Sequence, residues 1–270
     1  MRKGFIGVGS QGGPMAHRMH DAGMALTVWA RRPEAAEPYL AKGAQAAVSV
    51  AELGAQCDHV GICVVNDADV LEITGQLIPA MQQGGRIAIH STVLPETVIA
   101  LEKQCDDRGL ALIDAPVSGG QPAAEAGVLT VMCGGRQEAF DAALPVFETF
   151  GKLIVLLGPA GAGQRAKIVN NAMLSANMGV AMAALEAAGA LGIERETFVD
   201  LIKASSGRSF GFEVFSRLPS PAAFATGAPM LLKDIELLNT VLPGHPGAAE
   251  LNAIAARFLA AANPPKTSGA

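Results

Sequence analysis

The sequence predicts an α/β N-terminal half built on a doubly wound parallel sheet, followed by an all-α C-terminal half that a long helix joins to it. Three observations carry that expectation. Short β-branched runs alternate with helical patterns as far as residue 157, the signature of βαβ units. Beyond that point no convincing strand occurs. Half of the 270 residues are hydrophobic and 17% are charged, with a mean hydropathy of +0.32, enough apolar material for a large core and little case for disorder. The strands expected in the first half cover residues 4–8, 26–30, 60–65, 86–90, 110–114, 129–133 and 153–157.

The first strand runs into Gly7-Val8-Gly9-Ser10-Gln11-Gly12 and then a helix, which places a GxGxxG at a strand-to-helix turn. There the first glycine permits the turn, the second lets a pyrophosphate approach the backbone, and the third lets helix and strand pack closely, with the helix N-terminus facing the anion. The pattern predicts a Rossmann dinucleotide site; a glycine-rich turn without a ligand is the alternative. Pro14 in the first turn and Gly23 past the last turn bound the helix. The strand at 26–30 ends in Trp29-Ala30-Arg31-Arg32. About 20 positions beyond the glycines an acidic residue normally binds the ribose hydroxyls, but here Arg31 holds that place, with Arg32 beside it and no acid. A carboxylate would repel a 2′-phosphate, whereas a guanidinium grips it through paired donors. Ala30, Arg31 and Arg32 therefore point to NADP(H) over NAD(H), unless both arginines are solvated surface charge.

Ser49 and Glu52 stand at capping-box spacing before the next helix. The strands at 60–65 and 86–90 end in Val64-Val65-Asn66-Asp67 and His90-Ser91-Thr92. Carboxyl ends of strands in an open sheet face the ligand crevice, so Val65, Asn66, Ser91 and Thr92 are candidates for the nicotinamide side. Asn66 and Thr92 could equally shape turns, and Asp67 could cap a helix. His90 reads as a packed strand-end histidine, with acid/base work as the alternative. Gly109 closes the helix that begins near Pro95. Next, Asp114-Ala115-Pro116-Val117-Ser118-Gly119-Gly120 leaves a strand as a loop in which a hydroxyl and two unshielded glycine amides form either an anion nest suited to a carboxylate or a plain glycine turn.

Gly158-Pro159 is a turn and the pattern changes there, giving domains at 1–160 and 161–270 with room for chemistry between them. Residues 162–191 run without a proline and read as one long helix. Asn177, Glu186 and the Ala/Gly-rich composition make it a buried helix rather than a membrane span. Helical patterns follow at 196–204, 230–241 and 248–262, and the tail from Asn263, with Pro264, Pro265 and Gly269, is expected to fray. At the head of the long helix, Gly161-Ala162-Gly163-Gln164-Arg165-Ala166-Lys167-Ile168-Val169-Asn170-Asn171 puts Gly163, Lys167 and Asn171 on one face at four-residue spacing. A partly desolvated lysine there could give and take a proton; spacing alone leaves a solvated lysine equally open.

A net charge of −5 argues against nucleic-acid binding. Cys57, Cys63, Cys105 and Cys133 show neither CxxC spacing nor crowding, against a zinc site and a disulfide framework and in favour of a reducing cytosol. No clustered ligand set suggests a metal. The apolar run after Arg2-Lys3 is broken at once by glycines, unlike a signal peptide.

Taken together, these segments resemble the β-hydroxyacid dehydrogenase family, the group of 3-hydroxyisobutyrate dehydrogenase and tartronate semialdehyde reductase. The resemblance covers nearly the whole chain: GVGSQGGPM at 7–15, STVLPET at 91–97, DAPVSGG at 114–120, GVLTVMCGG at 127–135, GAGQRAKIVNN at 161–171, SSGRS at 205–209 and KDIELL at 233–238. It implies hydride transfer between NADP(H) and a small β-hydroxy acid or semialdehyde. By that resemblance Ser118, Gly119 and Gly120 hold the substrate carboxylate, Lys167 is the general acid/base, Asn171 orients the substrate, and Lys233 reaches the cofactor. On spacing alone, Lys233-Asp234 would pass as a surface ion pair. Arg208 and Phe210 fall where substrate-selective side chains are expected, and a homodimer or homotetramer held by the helical domain is implied. Two departures stand out: Ala30-Arg31 replaces a frequent Asn-Arg, and the chain stops soon after its last helix, short of the usual C-terminal extension. Imine reductases share the fold but generally lack the lysine, and non-catalytic dinucleotide modules on chromatin proteins tend to lose it and gain basic segments. Lys167 and the acidic balance weigh against both.

Overall fold

A computed structural model describes residues 2–263. The N-terminal unit alternates β1 (Arg2–Ile6), α1 (Gly12–Asp21), β2 (Leu26–Trp29), α2 (Glu37–Leu40), β3 (Gln45–Ala46), α3 (Val50–Gln56), β4 (Cys57–Ile62), α4 (Asp67–Ala80), β5 (Arg86–Ile89), α5 (Pro95–Asp106) and β6 (Ala111–Asp114). Then come β7 (Val117–Ser118), α6 (Gly120–Ala126), β8 (Leu129–Gly135), α7 (Gln137–Phe147) and β9 (Gly151–Leu156). Strands β3-β2-β1-β4-β5-β6 lie side by side and parallel, the doubly wound order with its switch between β1 and β4.

The parallel order ends at β8, which runs antiparallel beside β6 and carries antiparallel β7 and parallel β9. Only two-residue β7 and the short α6 link β6 to β8, so this connection reverses the chain rather than crossing over the sheet. Strands β1 and β4 begin earlier than their apolar runs suggest, because the ladder extends through charged starts. Lys3 Nζ sits 3.0 Å from Asp58 on the neighbouring strand, and Arg86 lies 3.8 Å from the same carboxylate.

Period-two alternation divides this unit's apolar side chains between two faces. Phe5, Val28, Ala88 and Ile113 join Met15, Met19 and Phe147 on the α1/α7 face. Ile6, Val60, Ile62, Ile87, Ile89 and Leu112 join Leu53, Leu77 and Leu101 on the α3/α4/α5 face.

Compact packing divides the chain between Lys167 and Ile168, inside α8 (Ala162–Ala190). The helical unit continues with α9 (Arg195–Lys203), α10 (Phe210–Ser216), α11 (Ala228–Val241) and α12 (Pro246–Ala262). By length and composition α8 could cross a bilayer, but Met178, Ala181, Met182 and Leu185 pack with Phe212, Phe215, Leu231 and Phe258 into this unit's core. Helix α10 was missed in sequence because its aromatic, β-branched run Phe210-Gly211-Phe212-Glu213-Val214-Phe215 has no helical stripe; Ser209 caps it, accepting from the Phe212 N–H at 3.0 Å. The fraying expected of the tail falls on residues 264–270, outside the described residues.

Candidate functional site

The glycine loop leaves β1 at the sheet's switch point. Gly7 adopts φ +89°, and a Cβ there would stand 2.1 Å from the Cys63 carbonyl oxygen. A Cβ on Gly12 would stand 2.1 Å from the Gly7 oxygen, so only glycine lets α1 start this close to β1. A Cβ on Gly9 would meet nothing within 4 Å, which leaves the loop's outer face open to a ligand. Helix α1 begins without an acidic residue in its first turn or a side-chain cap, and the neighbouring Gln11 Nε2 is buried with no hydrogen-bond partner. An open backbone, the positive end of a helix and an unpaired donor fit a dinucleotide pyrophosphate. Tyr39, unnoticed in sequence, secures this loop: its hydroxyl donates to the Gly13 carbonyl at 3.0 Å and its ring stacks on His17 at 4.3 Å. Burial pushes the Tyr39 phenol up to about 12.

Beyond β2, Ala30 is half-buried, and Arg31 and Arg32 are exposed. The Arg31 guanidinium lies 2.9 Å from Asp69 and 3.3 Å from Glu72, both on α4. At the end of β4, Val65 and Asn66 are exposed, and Asn66 Oδ1 accepts from the Asp69 N–H at 2.9 Å as the N-cap of α4. Asp67 is therefore not the cap. Its Oδ1 accepts from the Leu94 N–H at 3.0 Å and the Thr97 hydroxyl at 2.6 Å, tying α4 to the loop after β5. Ser91 Oγ accepts from the Val64 N–H at 2.8 Å, joining the ends of β4 and β5.

His90 is a core residue. Its ring is buried against Phe5, Phe147 and Phe150, and Nδ1 donates to the Ala115 carbonyl at 2.8 Å. Burial lowers it to about 4, so it stays neutral and packed rather than trading protons.

Asp114 ends β6 under the start of α8. Its carboxylate accepts from the Gly161 and Gln164 backbone N–H groups, both at 2.8 Å, a charge placed on the positive end of the helix. Burial nevertheless pushes it up to about 6, with those backbone bonds opposing the rise. Gln164, fully buried, sends Nε2 to the Ser91 carbonyl at 2.9 Å and accepts the Val93 N–H on Oε1 at 3.1 Å. The helix that carries Lys167 is thus bonded at its first turn to the ends of both β5 and β6. Lys167 is partly buried. Ser118 pairs with Thr130 of β8, and Gly119 and Gly120 turn into α6 with φ of +130° and +70°.

Within the helical unit, Asn171 Nδ2 donates to Asp234 Oδ2, and its Oδ1 accepts from Asn170 Nδ2 at 3.1 Å. Asp234 is only 3% exposed, with Lys233 Nζ 3.5 Å away, so Lys233-Asp234 is not the surface pair that spacing suggested. Asp234 shares a face of α11 with Leu231 and Leu238, a 3–4 spacing that could have revealed its burial in sequence. Gln164 shares a face of α8 with buried Ile168 and Ala172 at four-residue spacing, the same kind of signal. Arg208 is exposed, and Phe210, the first residue of α10, is 58% exposed.

A glycine loop with an open second glycine, at the switch point of a 3-2-1-4-5-6 sheet, defines a dinucleotide-binding protein of the Rossmann type. Residues 2–158 match the family model for the NAD binding domain of 6-phosphogluconate dehydrogenase, and residues 161–269 match that for the NAD-binding region of NADP-dependent 3-hydroxyisobutyrate dehydrogenase. The chain belongs to the β-hydroxyacid dehydrogenase family, the group of 3-hydroxyisobutyrate dehydrogenase. It is 37% identical over 196 residues to an uncharacterized oxidoreductase of Mycobacterium tuberculosis, a match covering 72% of this chain and 66%, just under two thirds, of that one. The NAD-dependent L-serine dehydrogenase of Pseudomonas aeruginosa is 36% identical over 219 residues, 80% of this chain and 73% of its own length. Among solved structures, a complex of Psf3 with NADP+ and 2-OPP aligns with a TM-score of 0.84 at 26% identity, covering 95% of this chain and 92% of that one.

Proposed function

We propose that the protein interconverts a small β-hydroxy acid and its semialdehyde with NADP(H), using Lys167 as general acid/base. The observation that carries this reading is the attachment of the first turn of α8 to the carboxyl ends of β5 and β6, on the same edge of the sheet as the glycine loop. That attachment supports a lysine one turn later working beside a dinucleotide. The bound cofactor supplies the hydride chemistry at its nicotinamide ring. Lys167 hands a proton to the oxygen that becomes the alcohol on reduction and takes it back on oxidation. The Ser118 hydroxyl and the Gly119 and Gly120 amides hold the substrate carboxylate. Asn171, its amide oriented by Asp234, aligns the substrate, with Arg208 and Phe210 bearing on its size and Lys233 on the cofactor.

Arg31 and Arg32, with no acid in the Trp29-Ala30-Arg31-Arg32 segment itself, support NADP(H) through the 2′-phosphate. Because Asp69 and Glu72 already hold Arg31, the phosphate must compete with two carboxylates. Exposed Val169, Met173 and Val180 on α8 support assembly as a homodimer or homotetramer, and the wide spacing of Cys57, Cys63, Cys105 and Cys133 along the chain supports a reducing cytosol as the working compartment.

Steady-state kinetics over small aldehyde acids with NADPH and NADH test the whole reading. Lys167→Ala should lower kcat by about two orders of magnitude or more while leaving NADPH affinity within a few-fold. Near-normal turnover would remove Lys167 from its role, and equal or better efficiency with NADH would remove the NADP(H) preference.

A further inference from the structure

We propose that Gln164 is a positioning residue for this reaction: its buried amide clamps the first turn of α8 to the Ser91–Val93 loop and thereby sets the reach of Lys167 toward that loop. The inference rests on Lys167 as the acid/base. Gln164 spends both ends of its amide on one stretch of backbone, donating to Ser91 O and accepting from Val93 N–H, on either side of Thr92. A neutral carboxamide can satisfy a carbonyl and an N–H at once; an ionised carboxylate lacks the donor, and a thioether has no donor and accepts only weakly.

The geometry gives this clamp leverage. Lys167 lies three residues further on, about 4.5 Å along the helix axis and on a neighbouring stripe of its surface. Asp114 grips the Gly161 and Gln164 backbone N–H groups and holds the start of the helix against β6. Gln164 reaches sideways to β5's loop and adds a restraint in a second direction. A long side chain magnifies small rotations, and a misplacement of about 1 Å at a reacting group can cost about 100-fold in rate. Ser91 and Val93 also flank Thr92 at the carboxyl end of β5, the edge where the nicotinamide is expected, so the clamp connects the proton-handling helix directly to the hydride side.

The test uses the full-length chain with Gln164→Met, Gln164→Glu and Lys167→Ala. Gln164→Met should lower kcat 10- to 100-fold while the substrate KM and the NADPH Kd, read by cofactor fluorescence, stay within threefold. In the cofactor-free protein, hydrogen exchange should accelerate at the Val93 amide and not across the sheet. Gln164→Glu carries a sharper signature. Its protonated carboxyl can donate to Ser91 O and accept from Val93 N–H, whereas the ionised form repels Ser91 O. The ratio of its kcat to wild type should therefore be highest at low pH and fall as pH rises; the neighbouring Asp114 titrates together with the new carboxyl and shares in that fall, while groups remote from residue 164 are common to both proteins and cancel. A Gln164→Met kcat within twofold of wild type overturns the proposal, as does a flat ratio for Gln164→Glu, and the latter decides alone should the methionine variant fail to fold. Wild-type turnover in Lys167→Ala instead overturns the acid/base assignment, and exchange at Val93 then still reports whether the clamp exists.

Discussion

Gly9 separates two jobs that its neighbours combine. Gly7 and Gly12 are required by the backbone itself, since a Cβ on either would lie 2.1 Å from a carbonyl oxygen, whereas a Cβ on Gly9 would project into open space. The expected outcome for Gly9→Ala is a protein whose urea midpoint is almost unchanged, within about 0.5 kcal/mol, but whose NADPH affinity drops at least tenfold because the methyl occupies the path of the pyrophosphate. Isothermal titration alongside urea unfolding checks both halves; unchanged affinity would show that the ligand does not approach this face. Asn171 illustrates the same economy in reverse. It stood out in the sequence as a substrate contact, yet its amide is already committed to buried Asp234 and to Asn170, so its alignment depends on a carboxylate 63 positions away.

Among the elements, α8 shows how one helix answers to two environments. At its start, Gly163 lies where a Cβ would stand 2.2 Å from the Met132 carbonyl oxygen and 2.8 Å from Asp114 Oδ2; near its end, Gly189 has nothing within 4 Å. The same substitution should therefore have opposite signs. Gly163→Ala is expected to cost about 3 kcal/mol by forcing the helix away from β8 and the Asp114 anchor. Gly189→Ala should gain about 0.5 kcal/mol from helix propensity. Urea unfolding of the two variants measures the pair, and equal effects would show that the helix start tolerates displacement. Helical periodicity and the absence of proline made α8 legible in the sequence. Its attachment was not, because the bonds from Gln164 and Asp114 span 47 to 73 positions and periodicity reports only neighbours within two turns.

At the scale of the molecule, acid stability follows from histidines inside the sheet. His90 is lowered to about 4 and His59 well below its usual value, both chiefly by burial. An unfolded histidine titrates near 6.5, so below that pH the unfolded state takes up protons the native state refuses. The stability these neutral rings provide is complete above pH 6.5 and is lost as pH falls toward 4. Asp114 has the opposite sign: raised to about 6, it takes up its proton first in the native state and offsets part of the loss as pH falls below 6. Comparing wild type with His90→Gln isolates one term. Between pH 8 and pH 5, wild type should lose about 2 kcal/mol more than the variant in urea unfolding; parallel pH profiles would mean that His90 titrates normally.

The amino-acid sequence alone determined the alternation of strands and helices, the glycine loop, the arginine in place of an acid after β2, and the long helix with Lys167 near its head. Each of these is a local matter of side-chain period, backbone permission or charge type. Tertiary structure alone decided that β8 reverses against β6, that Asn66 rather than Asp67 caps α4, and that Asn171 is committed to Asp234. It also decided that Gln164 and Asp114 fasten α8 to the sheet. These outcomes depend on which distant groups share a desolvated volume, where an unpaired donor or acceptor is costly and must find its partner across space rather than along the chain.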